Sequence, residues 1–189
     1  MLKDLIIVPN FFDNVEELVS LAKQQKFYSN TEHPKDKNTK IYYGGKRTEE
    51  LTGIEKTILS ETFYNKVVCD NLSINANIKV DWTGSSFFHF FTNNYSGGKP
   101  ELHQDSALMA GVIYLNSCIL SNPENHGTII FNKNDESFTM PYIYNTLIMY
   151  RSDYIHAPLA GFGNSIDDAR LSMIFTVDKI TIDVSRNTL

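Results

Sequence analysis

The spacing of apolar residues at the start of the chain predicts a strand followed by a helix. The apolar run at residues 5–8 is stopped by Pro9, which is typical of a short strand. Asp13 and Glu16 have the spacing of a capping box, and we expect the helix that follows them to end near Lys26. One apolar face of this helix is formed by residues at i, i+3, i+4 and i+7 spacing: Val15, Leu18, Val19 and Ala22.

A second helical pattern begins near Thr48. Gly53 weakens its first turn, because glycine is a poor helix former. The apolar positions of this pattern are Leu51, Ile54, Ile58, Val67 and Val68. We therefore expect two helices in the first part of the chain.

From Ile78 onward the pattern changes to β-branched and aromatic runs separated by turn residues, as in an all-β sandwich or barrel. The predicted strands cover residues 85–91, 110–115, 128–131, 146–149, 169–177 and 179–184. Helices followed by strands indicate an α+β fold that is mainly β, with the helices packed on one face of an antiparallel sheet system.

Composition narrows the class of protein. The chain has 189 residues, 42% of them hydrophobic and 21% charged, and no internal repeat or linker, so we expect a single domain. The net charge is −5 and the basic residues are scattered, which argues against a nucleic-acid partner. No export signal or long apolar span is evident, so we expect no membrane association and a cytoplasmic location.

The first candidate for chemistry is the pair His103 and Asp105. On an extended segment residues i and i+2 project from the same face, so this pair can chelate a metal. His156 follows an apolar run, and an adjacent strand of a sandwich could place it opposite the pair. Two histidines and one carboxylate form the facial triad of non-haem Fe(II) oxygenases, which leaves coordination positions open. A His-x-Asp pair alone is weak evidence, because it recurs by chance.

A second group strengthens the metal hypothesis. Arg170 and Ser172 share one face of a predicted strand whose other face is apolar. A planar guanidinium and a hydroxyl together can hold a carboxylate through charge-assisted hydrogen bonds. The ligand that this pair suggests is a dicarboxylate.

At this point the sequence resembles the 2-oxoglutarate/Fe(II)-dependent dioxygenases, and within them the prolyl-hydroxylase-like branch. The resemblance covers roughly the last hundred residues and rests on five segments in the family's order: 103–105, 111–116, 126–131, 156–158 and 170–172. It departs from the family pattern in two places. A glycine pair is replaced by His126-Gly127, and Arg170 stands where many hydroxylases of this branch have lysine.

The resemblance implies a double-stranded β-helix, the jelly-roll or cupin-like core, over about 76–189, with helical support over about 1–75. It implies Fe(II) bound by His103, Asp105 and His156, and 2-oxoglutarate held at its far carboxylate by Arg170 and Ser172, with Tyr114 as a further candidate for cofactor binding. The expected reaction uses O2 to hydroxylate an unactivated C–H bond of a peptide side chain, an amino acid or a small metabolite, releasing succinate and CO2.

The main alternative is a non-catalytic cupin-like module that binds a metal or a small ligand. The pair Arg170 and Ser172 distinguishes the two hypotheses, because a structural metal site does not need residues that bind a ligand carboxylate. The other histidines are given ordinary roles: His89 as a core or sheet-surface residue that could line the pocket, and His33 and His126 as solvated side chains. Substrate recognition is expected on loops 93–102, 120–126 and 157–168, and the segment 29–45 could act as a lid. The sequence does not indicate an oligomeric state.

Overall fold

The computed structural model describes residues 3–35, 43–69, 79–98, 101–134 and 136–183. Its helical part consists of α1 (Val15–Lys23) and α2 (Ile54–Phe63), and α2 continues as a π-helix over Tyr64–Cys69. Within the described residues no helix combines the length and the apolarity needed to span a bilayer.

Most strands belong to one large antiparallel sheet, called the major sheet here. Its strand order is β1-β8-β5-β10-β4-β2. In chain order these strands are β1 (Leu5–Val8), β2 (Lys46–Arg47), β4 (Ser86–Phe91), β5 (Met109–Tyr114), β8 (Leu147–Arg151) and β10 (Arg170–Val177). The central strand β10 is hydrogen bonded to β5 on one side and to β4 on the other.

A second sheet, the minor sheet, has the order β7-β6-β9. Its strands are β6 (Thr128–Phe131), β7 (Ser137–Met140) and β9 (Ile155–Pro158). A separate antiparallel pair joins β3 (Lys79–Thr83) to β11 (Lys179–Asp183), and a 3-10 helix, Pro123–His126, precedes β6.

The apolar residues form two clusters, one on each face of the major sheet. The outer cluster packs both helices on the sheet and includes Leu18, Leu59, Phe88, Ile113 and Met173. The inner cluster lies between the two sheets and includes Val112, Tyr114, Ile130, Tyr142 and Tyr150. Alternate residues of one strand, such as Val112 and Ile113, therefore serve different clusters. The predicted α+β, mainly β fold with helices on one sheet is confirmed.

The first helix is shorter than predicted, and its capping box is absent. It ends at Lys23 because the chain turns towards the sheet, where Tyr28 pairs with Arg47. Its N-cap is Asn14, whose side chain makes no capping hydrogen bond to the backbone. Glu16 instead accepts a hydrogen bond from the Tyr144 hydroxyl, and Asp13 pairs with Lys66, so tertiary contacts replace the local cap.

The second helix starts later than its apolar pattern predicts. The segment that contains Thr48 and Leu51 runs along β4, where their amides donate to the carbonyls of Phe88 and Ser86. Gly53 is the N-cap, and the helix begins at Ile54. Pairing with a strand thus takes priority over the helical spacing of these apolar residues.

Two strands of the minor sheet, β7 and β9, were not predicted. Both are only four residues long, and β9 ends at Pro158, a residue that weakens a strand pattern. The strand predicted at 5–8 and the six predicted from Ile78 onward are present, with ends that differ by at most two residues within the described part of the chain. The predicted end of the last strand, Val184, lies outside it.

Candidate metal centre

The two histidines of the predicted triad lie directly opposite each other in an antiparallel bridge. His103 donates its backbone amide to the His156 carbonyl at 3.0 Å, and His156 returns the bond at 2.9 Å. The 103 segment thereby extends the minor sheet beyond β9. Paired residues of an antiparallel ladder point to the same face, which brings the two imidazole rings to a centroid separation of 4.3 Å.

Asp105 completes the group from the position two residues after His103. Its backbone amide donates to the Ser152 carbonyl at 2.9 Å, which continues the pairing along the chain. Its carboxylate oxygens lie 3.5 Å from Nε2 of His156 and 3.9 Å from Nε2 of His103. One ligand atom from each of the three residues can be chosen so that all lie within 4.8 Å of one another, an arrangement compatible with one shared metal ion.

Hydrogen bonds to the backbone set the orientation of both rings. Nδ1 of His103 lies 2.7 Å from the Glu101 carbonyl, and Nδ1 of His156 lies 2.9 Å from the Tyr154 carbonyl. A carbonyl can only accept, so each Nδ1 carries the proton and each Nε2 offers a lone pair towards Asp105. The donor set therefore fits a divalent cation.

The carboxylate of Asp105 is partly buried. Burial alone would raise its pKa, but the hydrogen bond and charge of His156 and the charge of His103 have the opposite effect. The net result is a pKa below the ordinary value for aspartate. Asp105 is therefore anionic and available to a metal at neutral pH.

Arg170 lies at the start of β10, and only 1% of its surface is exposed. Its Nε donates to the His126 carbonyl at 2.6 Å, and its Nη2 donates to the Gly127 carbonyl at 2.9 Å. The guanidinium also lies 4.9 Å from the Phe91 ring centroid. No carboxylate in the described part of the chain forms an ion pair with it. A buried cation held only by neutral groups is costly, so this environment favours an anionic ligand.

Ser172 and Tyr114 are neighbours of Arg170 on the inner face of the major sheet, but they differ in access. Ser172 lines the same cavity as Arg170, and its hydroxyl donates to the His89 carbonyl at 3.3 Å. Tyr114 is fully buried and is not among the described residues that line the cavity. Its hydroxyl is bonded to the Thr128 hydroxyl at 2.9 Å, which places it one side chain away.

A cavity of about 380 Å³ between the two sheets joins the triad to Arg170 and Ser172. Sequence reasoning did not select several of its lining residues, among them Tyr43, Arg47, Thr128 and Tyr150. Tyr150 packs edge-on against His156 at a centroid distance of 4.9 Å. Burial and the charge of Asp105 raise the pKa of the Tyr150 phenol well above its ordinary value, so it remains neutral. Its position directly after the predicted strand at 146–149, in the apolar run that precedes His156, was the available signal.

The remaining histidines differ in part from expectation. His89 is buried and lines the cavity, in agreement with a core role. His33 was predicted to be solvated, which is wrong: its ring is buried because it packs against Tyr28 and Tyr43 and its Nε2 lies 3.2 Å from the Thr48 carbonyl. His126, also predicted to be solvated, is half-buried with Nδ1 3.0 Å from the Ala160 carbonyl.

Of the loops expected to recognise substrate, two reach the cavity. Glu101 and Leu102 come from the first, and Pro158 comes from the third. The loop at 120–126 contributes no lining residue within the described part of the chain. The proposed lid at 29–45 lies partly outside the described residues, at 36–42.

Comparison with known proteins identifies the architecture. No protein-family model and no curated protein matches the sequence. Solved structures do match. A prolyl-4-hydroxylase from Pseudomonas putida superposes with a TM-score of 0.62 at 11% identity, covering 93% of this chain and 92% of that one. A prolyl hydroxylase from Trichoplax adhaerens, in complex with a peptide fragment of the hypoxia-inducible factor oxygen degradation domain, gives a TM-score of 0.65 at 15% identity, covering 93% and 83%.

A third match is HygX from Streptomyces hygroscopicus with nickel and 2-oxoglutarate bound, with a TM-score of 0.55 at 10% identity and coverage of 93% and 82%. The chain has the fold of the 2-oxoglutarate/Fe(II) oxygenases. The major and minor sheets are thus the two sheets of a double-stranded β-helix. The triad joins the 103 segment to β9 of the minor sheet, while Arg170 and Ser172 lie on β10 of the major sheet.

Proposed function

We propose that the protein is a 2-oxoglutarate- and Fe(II)-dependent dioxygenase that hydroxylates an unactivated C–H bond. The observation that carries this proposal is the buried guanidinium of Arg170, which shares one cavity with the His103, Asp105 and His156 triad. A structural metal site needs three or four ligands, whereas a second, cationic binding group suits a cosubstrate with a distant carboxylate. The fold of the solved oxygenases supports the same conclusion.

In this proposal the triad would hold Fe(II), with the two histidines and one carboxylate that non-haem iron oxygenases use. The Nε2 atoms of His103 and His156 and the carboxylate of Asp105 are the ligands. Arg170 and Ser172 bind the far carboxylate of 2-oxoglutarate, and the carbonyls of His126 and Gly127 hold the guanidinium in place for it. Tyr114 supports this end of the cavity through Thr128.

When bound, iron and 2-oxoglutarate supply the oxidising chemistry: one atom of O2 enters the substrate as hydroxyl, the other enters succinate, and CO2 is released. The protein supplies a site that excludes water and orients the bound groups. Apolar and aromatic side chains on the cavity wall, such as Val112, Ile174 and Tyr150, exclude water.

The decisive experiment is anaerobic addition of Fe(II) and then 2-oxoglutarate to the purified protein. We expect a visible charge-transfer band that saturates with 2-oxoglutarate, followed by formation of succinate when O2 is admitted. Succinate, a dicarboxylate that lacks the keto group, is the control and should produce no band. Metal binding without a band would instead favour a non-catalytic metal-binding module.

A further inference from the structure

His89 presents an unused hydrogen-bond acceptor to the cavity. Its Nε2 lies 2.6 Å from the Gly44 carbonyl. A carbonyl can only accept, so Nε2 carries the proton and Nδ1 of the neutral ring carries a lone pair. Nδ1 receives no hydrogen bond in the described part of the chain. It is also not among the fully enclosed atoms that lack a partner there, so it is open to the cavity that His89 lines.

The ring of His89 stays neutral and is held in one orientation. Burial lowers the pKa of His89 to about 3, and the charge of Arg170 acts in the same direction, so the ring is uncharged at neutral pH. It packs on the Phe91 ring at a centroid distance of 4.2 Å and stands nearly perpendicular to the Tyr43 ring at 5.7 Å. These two contacts and the bond to Gly44 fix the place of the lone pair.

Neither the metal nor 2-oxoglutarate accounts for this lone pair. The group in the described part of the chain that can share one metal ion consists of His103, Asp105 and His156, and His89 lies outside it. 2-Oxoglutarate is a dianion at neutral pH and has no O–H or N–H to donate. Its carboxylates would be repelled by a lone pair. A ligand that satisfies Nδ1 must therefore bring a hydrogen-bond donor of its own.

His89 lies between the cosubstrate end of the cavity and an apolar part of its wall. The Phe91 ring contacts both the His89 ring and the guanidinium of Arg170, which lies 4.9 Å from its centroid. Two residues before His89 on β4, Phe87 lines the cavity together with Ile174, its paired neighbour on β10. The cavity of about 380 Å³ must also hold 2-oxoglutarate, so the space beside it suits a small molecule. Such a ligand meets apolar side chains and one neutral acceptor.

We propose that His89 is a substrate-binding residue, whose Nδ1 accepts a hydrogen bond from a hydroxyl or N–H group of the primary substrate. This inference rests on the proposed function and narrows the substrate to molecules that carry such a donor on a small, largely apolar body. When a ligand excludes water from the cavity, an acceptor left without a donor is unfavourable. An analogue whose donor is methylated should therefore bind more weakly.

The test follows Nδ1 directly by nuclear magnetic resonance. Protein with nitrogen-15 histidine is studied without metal and again with 2-oxoglutarate and Zn(II), which is redox-inactive and supports no turnover. The ring signals of His89 are assigned by their absence from His89→Gln. Three pairs of probes are titrated: phenol with anisole, indole with N-methylindole, and cyclohexanol with its methyl ether. We expect at least one donor probe to shift the Nδ1 signal towards the protonated range and to bind at least about tenfold more tightly than its methylated partner.

Two variants separate the acceptor from the bond to Gly44. His89→Gln can still donate to Gly44 but has no acceptor at the position of Nδ1, so the preference for the donor probe should disappear. His89→Asn places its Oδ1 near that position and should retain most of the preference. His33→Gln is the matched control, because His33 is buried but is not among the described residues that line the cavity. Titration of the Fe(II) charge-transfer band should show that each variant still binds 2-oxoglutarate, which does not use Nδ1.

The outcomes separate the two proposals. If the charge-transfer band never forms but a donor probe shifts the Nδ1 signal, the proposed function fails while the hydrogen-bonding site at His89 is confirmed. If the band forms but no probe shifts the signal, or donor and methylated probes bind equally, this inference is wrong while the dioxygenase proposal stands. An unchanged preference in His89→Gln, or a loss of 2-oxoglutarate affinity in that variant, would also overturn it.

Discussion

Nη2 of Arg170 donates a hydrogen bond of 2.9 Å to the carbonyl oxygen of Gly127, and this bond connects the two sheets of the β-helix. Arg170 begins β10 in the major sheet, and Gly127 directly precedes β6 in the minor sheet. The neighbouring His126 carbonyl receives a second bond, from Nε. The backbone of one sheet therefore fixes the cation that the other sheet presents to the cavity.

The backbone around Gly127 leaves no room for a side chain. A Cβ atom at this position would overlap the carbonyl oxygen of Met140 on β7. We predict that Gly127→Ala lowers the free energy of unfolding by about 2 kcal/mol or more, because backbone must move to relieve the overlap. Chemical denaturation followed by circular dichroism measures this change.

A matched glycine provides the control for this prediction. A Cβ at Gly53, the N-cap of α2, meets only the flexible side chain of Glu55. Gly53→Ala should cost less than about 1 kcal/mol, the usual range for exchanges at a helix cap. Equal stability of Gly127→Ala and wild type would show that β6 and β7 can separate here without penalty.

Arg170→Met tests the anion-binding role. Methionine fills a similar volume without a charge, so the metal should still bind while 2-oxoglutarate binds about 10- to 100-fold more weakly. Titration of the charge-transfer band with 2-oxoglutarate gives the affinity. Arg151→Met is the control, because Arg151 is only partly buried, pairs with Asp153 and does not line the cavity. An unchanged affinity in Arg170→Met would place the carboxylate elsewhere.

If the triad binds a metal, we expect the metal to stabilise the folded protein. A ligand at a hundred times its dissociation constant adds about 2.7 kcal/mol to the free energy of unfolding. His103→Ala should abolish this gain without unfolding the metal-free protein, because the His103 side chain is half exposed. Differential scanning calorimetry with and without Fe(II), under anaerobic conditions, makes the comparison.

Gln104→Ala, which alters the residue between two triad members, is the control and should keep the gain in the free energy of unfolding. Retention of the gain in His103→Ala would remove this residue from the metal site.

Much of the fold was predictable because local periodicity and tertiary packing agree. Strand β6 was predicted with its observed ends, and α1 with its observed buried face. The failures occur where a tertiary contact overrides the local pattern. The segment from Thr48 to Leu51 has helical spacing, yet it pairs with β4, and the four-residue strand β9 has too little sequence to show a period.

The residues of the candidate site that could be predicted are those separated by a fixed, short spacing in the sequence. His103 and Asp105 are two residues apart, as are Arg170 and Ser172, so a strand puts each pair on one face. Arg47 was not predictable in this way. It reaches the cavity only because β2 joins the edge of the major sheet beside His89, a pairing between residues 42 positions apart in the chain.

Because the pKa of buried His89 is lowered, we predict that the free energy of unfolding falls in acid. Burial, together with the charges of Arg170 and Arg47, lowers its pKa to about 3 from 6.5, and its ring lies 2.6 Å from the Gly44 carbonyl. Between these values the unfolded chain binds a proton that the folded chain does not, so the free energy of unfolding falls by up to about 1.4 kcal/mol per pH unit as pH decreases. His89→Gln retains an N–H donor for Gly44 and cannot titrate. Its free energy of unfolding, measured by urea denaturation from pH 7 to pH 4, should therefore fall less steeply than that of wild type. Parallel curves would show that His89 binds its proton as readily in the folded protein as in the unfolded chain.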